Sequence, residues 1–182
     1  MARVREFEWR PGRFKDVVLY VAEQLADDPT FGSTKLNKIL YFADTNAWRF
    51  VGQPITGAVY QRNHFGPTAV EYVPMLREME DQQLIEVHTE RIGDHDQERV
   101  ATTGEYKANM GQFSPDERAI LDQVIGEFRA YSNTEASDES HTRSAGWLAR
   151  DLGETIPYID SLINPAPLDD ALIAGLKTKA PA

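Results

Sequence analysis

Between Phe14 and Leu25 the apolar residues Phe14, Val17, Val18, Val21, Ala22 and Leu25 recur every three or four positions, the period of one helical face. The spacing predicts an amphipathic helix that stops at Asp27-Asp28-Pro29, because proline forces the residue before it out of helical geometry. A second helix is expected behind an N-cap at Ser33 or Thr34, with Leu36, Ile39, Leu40, Ala43, Ala47 and Phe50 on one face and Gly52 and Pro54 as its stop. Ile55 to Phe65 mixes β-branched and aromatic residues over too short a span for a helix and reads as a strand or extended connector. Gly66-Pro67 then punctuates the chain. Pro67 suits the first turn of a helix running toward Gln83, and Pro74 either kinks that helix or marks where its regular part begins.

Leu84 to Arg91 and Glu98 to Thr102 alternate in polarity, which predicts a β-hairpin with its loop at 93–97. Ser114-Pro115-Asp116-Glu117 has the hydroxyl, proline and glutamate of a capping box, and Ile120, Val124, Ile125 and Phe128 supply the buried stripe of the helix it starts. The polar run Ser132 to Thr142 reads as loop and short helical turn, followed by a helical piece around Trp147 to Leu152. Pro157, Pro165 and Pro167 punctuate a tail with a last short helix over Leu168 to Leu176. The expected fold class is α+β and mainly helical, a compact helical domain with a small β-hairpin and a winged-helix-like order of elements in its first half. An N-terminal extension (1–13) precedes the domain (14–155), and a proline-rich C-terminal tail (156–182) follows it.

Composition narrows the function more than the fold. With 182 residues, 41% hydrophobic and 26% charged, the chain suits one globular domain with a real core. The absence of cysteine excludes disulfides, thiolate metal sites and cysteine nucleophiles. No apolar run approaches the roughly 20 residues of a membrane span, and the Arg- and Glu-rich start lacks the apolar core of a signal peptide, so a cytoplasmic location is expected. The net charge of -10 is uneven. Residues 1–65 hold nine Lys+Arg against seven Asp+Glu, whereas 66–182 hold ten against 22. Such acidity repels phosphate backbones and suits a basic protein partner.

Catalytic readings find little support. His64, His88, His95 and His141 form no helical metal-ligand pair, Asp94-His95-Asp96 reads as a solvated turn, and no glycine-rich phosphate cradle is present. Neither cofactor nor metal is implied, and the chain is expected not to be an enzyme. A hydrolase built on His141 with Ser140 or Asp138 would need a pocket that brings them within hydrogen-bond reach. The alternative to a protein-binding domain is a winged-helix-like DNA-binding regulator. Its recognition helix, Thr68 to Gln83, would carry Glu71, Glu78, Glu80 and Asp81 against a single Arg77, and phosphates would repel it.

One segment is more specific. The run Thr34-Lys35-Leu36-Asn37-Lys38-Ile39-Leu40-Tyr41-Phe42-Ala43-Asp44 resembles the signature helix of the Panacea domain, the SocA-like antitoxin family. Gly52-Gln53-Pro54-Ile55, Tyr60, Phe65-Gly66-Pro67, Gln83-Leu84-Ile85-Glu86-Val87, and the later Ser140-His141 with Trp147 continue the resemblance, which covers roughly residues 14–150. It implies a mainly helical domain that acts as the antitoxin of a bacterial or phage toxin–antitoxin pair. Such a domain neutralises a cognate toxin by direct contact, in some members as an adaptor that presents it to a cytosolic protease. The motif and partner-binding positions it marks are Lys35, Asn37, Lys38, Tyr41, Asp44, Tyr60, His64, Gly66, Pro67, His141 and Trp147. Lys35, Lys38 and Arg49 are expected on a solvated helix face, and Tyr41, Phe42 and Trp48 in packing. Asp44 is expected to accept a hydrogen bond from Tyr60, His64 or His141. Gly66 and Pro67 set chain direction. His141 stands between a buried hydrogen-bonding role and a pH-sensitive contact.

Overall fold

The computed structural model describes residues 5–92 and 95–163, so the helix expected over Leu168 to Leu176 lies outside the described residues. The α+β, mainly helical expectation holds. Among the described residues, six α-helices pack with two small antiparallel sheets: α1 (Pro11–Gln24), α2 (Ser33–Val51), α3 (Tyr72–Asp81), α4 (Pro115–Arg129), α5 (Asn133–Arg143) and α6 (Ala145–Ala149). One sheet runs in the order β2 (Gly66–Ala69), β1 (Tyr60–Asn63), β5 (Thr155–Ile156); the other is the hairpin β3 (Ile85–Ile92) and β4 (His95–Thr102).

The 3.6-residue period of α1 buries Phe14, Val17, Val18, Val21 and Ala22, as its spacing requires. In α2 the outcome is different. Every residue from Lys35 to Thr45 is buried, the polar ones included, because α1, α4, α5 and β2 all pack against this helix. The solvated face expected for Lys35 and Lys38 does not exist. Gly32, rather than Ser33 or Thr34, occupies the N-cap, and the Ser33 hydroxyl is instead shared with Tyr72 Oη at 2.9 Å. Gly52 closes the helix with φ +87°, a left-handed geometry suited to glycine.

The helix expected from Pro67 is shorter. Gly66 to Ala69 pairs with β1 in the register Tyr60↔Ala69 to Asn63↔Gly66, and only then does α3 begin at Tyr72. Pro74 therefore falls in the first turn, where its missing N–H leaves no bond broken, and no kink arises. The second hairpin appears where alternation placed it, but its strands reach further toward the tip, with Ile92 opposite His95. Ser114 and Glu117 form the expected capping box. The polar run after Ser132 is a correction: it is helix α5, started by a second capping box between Ser132 and Glu135. The short helical piece lies earlier than Trp147 to Leu152, because Ser144 Oγ accepts from Trp147 N and starts α6 at Ala145.

A buried acid ties these elements together. Asp44, with no exposed surface, accepts from Thr56 N at 2.7 Å, from the Thr56 hydroxyl, and from Tyr60 Oη at 3.0 Å. The Tyr158 hydroxyl lies between Asp44 Oδ2, at 3.2 Å, and the Ala58 carbonyl, at 2.8 Å. Of the three partners expected for Asp44, Tyr60 is one; neither His64 nor His141 reaches it. Burial raises the Asp44 pKa against the lowering effect of these donors. Tyr158 and Phe7 meet edge-on at 5.1 Å, so residues from both ends of the described chain close over the α2 core. Asp44→Ala would strand buried hydroxyls and an amide, and is expected to cost about 3 kcal/mol in urea unfolding, with Asp44→Asn costing less.

Candidate functional site

Five elements converge on an open cleft of about 880 Å³: the start of α2, the β1–β2 turn, the start of α3, strand β4 and helix α5. The α5 face that makes this possible is not apolar. Ala136, Ser137 and Ser140 are small enough to let α5 approach α2 and β2, and Ser137 Oγ donates to the Phe65 carbonyl at 3.2 Å. Ser140 Oγ donates to the Ser137 carbonyl at 2.7 Å, an internal helix bond, and forms no hydrogen bond with the adjacent His141.

Two lysines, one turn apart on α2, meet opposite fates. Lys35 is fully buried, and its ammonium donates to Asp28 Oδ2 and to Thr30 Oγ1, both at 2.7 Å. Burial pushes the Asp28 pKa up, but hydrogen bonds from Lys35 and Thr30 outweigh it and leave the carboxyl below its ordinary range. Lys38 is 1% exposed and faces the cleft, yet it has no carboxylate partner among the described residues. Its ammonium has one acceptor, the Pro67 carbonyl, at 3.5 Å. Burial lowers its pKa to about 7.

The surroundings of Lys38 are equally unfinished. The Asn37 Nδ2 group donates to the Ser33 carbonyl, but Asn37 Oδ1 is buried and without a partner. Asn133 Oδ1 and His141 Nε2, also at the cleft, share that condition. Buried polar atoms are normally satisfied, so three orphans lining the same cleft as an ammonium with no carboxylate partner among the described residues mark a place built for something else. His141 lies flat on Trp147, with centroids 3.7 Å apart and an interplanar angle of 7°, and the Arg62 guanidinium covers the other part of that stack at 4.6 Å from the indole. Trp147 Nε1 anchors the stack by donating to the Asn63 carbonyl at 2.8 Å. Burial and the nearby Lys38 and Arg62 charges depress the His141 pKa, Asp138 opposing, which favours the neutral ring.

Gly66 makes this packing possible. Its φ of +106° disfavours other residues, and a Cβ there would collide with Ser140 Oγ and lie 2.7 Å from Lys38 Nζ. Beside it, buried Pro67 supplies the one carbonyl that Lys38 reaches. Of the expected positions, Asn37, Lys38, Gly66, Pro67, His141 and Trp147 gather at or beside the cleft. Lys35 has its own ion pair, Tyr41 shares a hydrogen bond with Ser144 Oγ at 2.9 Å, and Asp44 and Tyr60 belong to the buried acid network. His64 is exposed at the β1–β2 turn. Asn133, Tyr72 and Asp28 were not anticipated. Only Asp28 left a signal, an acid placed just before a lysine-bearing helix.

Residues 36–148, well over half of the chain, match the family described as Antitoxin SocA-like, Panacea domain. The chain belongs to that family. No curated protein and no solved structure matches it. The matched span of this Panacea domain runs from α2 into α6 and includes every part of the chain that walls the cleft except Thr30 and the first turn of α2. No described helix is long and apolar enough to cross a membrane.

The two lysines predict opposite mutational outcomes. Lys38 takes up its proton below the 10.5 of an ordinary lysine, so between about pH 7 and 10.5 the unfolded chain binds more protons than the folded one. Stability should therefore rise with pH across that window in the parent protein and stay flatter in Lys38→Met, which gains about 1–4 kcal/mol at pH 6 by urea unfolding. Lys35→Met leaves Asp28 buried without its cation and should lose about 3–5 kcal/mol.

Proposed function

We propose that the chain neutralises a cognate toxin by direct contact, as a cytoplasmic protein-binding antitoxin and not as an enzyme. The observation that carries this reading is the family match combined with an open cleft whose rim is exposed and mixed in character. Phe65 and Val73 project there as exposed apolar side chains, at 69% and 54% of full exposure, and Asp96, Glu98 and Asp138 add exposed acids beside them. Apolar anchors rimmed by charge suit a protein contact. Charge also speaks against the DNA-binding alternative, since α3 carries Glu78, Glu80 and Asp81 against Arg77.

Presentation of the captured toxin to a cytosolic protease is a second step this reading accommodates, because the cleft occupies one side of the domain's central helix. Co-expression with the product of the neighbouring gene tests the core statement: growth arrest by that product alone and relief beside this chain are expected. Persistent arrest with both proteins soluble contradicts it. Phe65→Asp and Val73→Asp should weaken relief while leaving the thermal midpoint within about 2 °C, since both side chains are at the surface.

A further inference from the structure

Among the described residues, a buried ammonium without a counter-ion shares one cleft with buried amide oxygens that lack donors, and together they describe a missing ligand in negative. Lys38, 1% exposed as a residue, needs an anion for its charged form. Asn37 Oδ1 and Asn133 Oδ1 need N–H donors, and His141 Nε2 needs a partner of either sense. A carboxylate carried on a peptide supplies both kinds of group at once. A phosphate supplies only acceptors and brings two charges to a site with one cation.

The rim sharpens the choice. Asp96, Glu98 and Asp138 surround the entrance with negative charge, so an approaching acidic segment is repelled unless cations flank its carboxylate. We propose that the cleft captures a basic peptide segment of its protein partner by seating one carboxylate of that segment on Lys38, with main-chain N–H groups on Asn37 and Asn133. This rests on the reading of the chain as a protein-binding domain. Where the Lys38 side chain is a neutral amine it takes a proton from solvent as the carboxylate arrives, and the ion pair then completes inside the cleft what Asp28 completes for Lys35 from within the chain. The carboxylate has two sources, a chain terminus or an Asp or Glu side chain.

An array of basic hexapeptides distinguishes them when each sequence is presented as the C-terminal acid, as the C-terminal amide, and as the amide with one internal Asp. The full-length protein should bind acids or Asp-containing amides about tenfold more tightly than plain amides. Preference for the terminal acid identifies a chain end, and preference for the Asp set identifies a side chain. Lys38→Met, confirmed as folded by its melting curve, should bind all three sets alike, and Lys38→Gln should do the same. Equal binding of all sets by the parent protein, no binding of any, or a preference that survives in both variants overturns the proposal. The array is independent of toxin neutralisation. A chain that relieves toxicity but shows a flat array refutes the carboxylate site alone, whereas a carboxylate preference without relief of any toxicity refutes the antitoxin reading.

Discussion

The domain is arranged around a helix whose middle three turns are enclosed on every side. Every residue of α2 from Lys35 to Thr45 is buried, and several of them, among them Lys35, Asn37, Lys38 and Asp44, carry groups that water would otherwise solvate. Burying such groups costs several kcal/mol each unless partners are supplied. The surrounding elements are placed accordingly: the loop before α2 brings Asp28 and Thr30 to Lys35, and the segment after it brings Thr56 and Tyr60 to Asp44. Tyr158 arrives from the far end of the described chain to join the same acid. The polar side chains of α2 thus specify which segments must meet, beyond what apolar burial alone would demand.

Against that pattern of satisfied partners, Lys38 and the Oδ1 of its neighbour Asn37 are exceptions among the described residues. Its neighbour Lys35 shows that the fold supplies a buried carboxylate where it needs one, so the missing partner at Lys38 is a property of the position and not of lysines on this helix. A site that lowers stability without a ligand is where function is most economically read. The stacked His141, Trp147 and Arg62 hold the adjacent wall rigid, so the orphaned His141 Nε2 is presented in a fixed place.

Much of the framework was legible from the residues. The apolar periods of α1, α2 and α4, the capping box at Ser114 and the alternation of the β3–β4 hairpin each reflect local rules that survive packing. Helix α5 was not legible, because its inward face is Ala136, Ser137 and Ser140; close approach to α2 and β2 requires small residues, and these erase the apolar period. The β1–β2 hairpin was masked by Gly66-Pro67, which fits a strand start as well as a helix start when sequence alone is considered. A buried lysine looks like a solvated one in sequence, since only packing by α5, β2 and the β1–β2 turn encloses Lys38. Family resemblance located the right helix, and the structure divided its residues between support and cleft.

Lys38 is held in the interior with no counter-ion among the described residues, and the consequence for its titration is open to direct observation. In full-length protein carrying carbon-13 in its lysine side chains, the Cε resonance of Lys38, assigned by its loss in Lys38→Met, should titrate with a midpoint near 7. A midpoint close to 10.5, the value of an ordinary solvated lysine, would contradict the account.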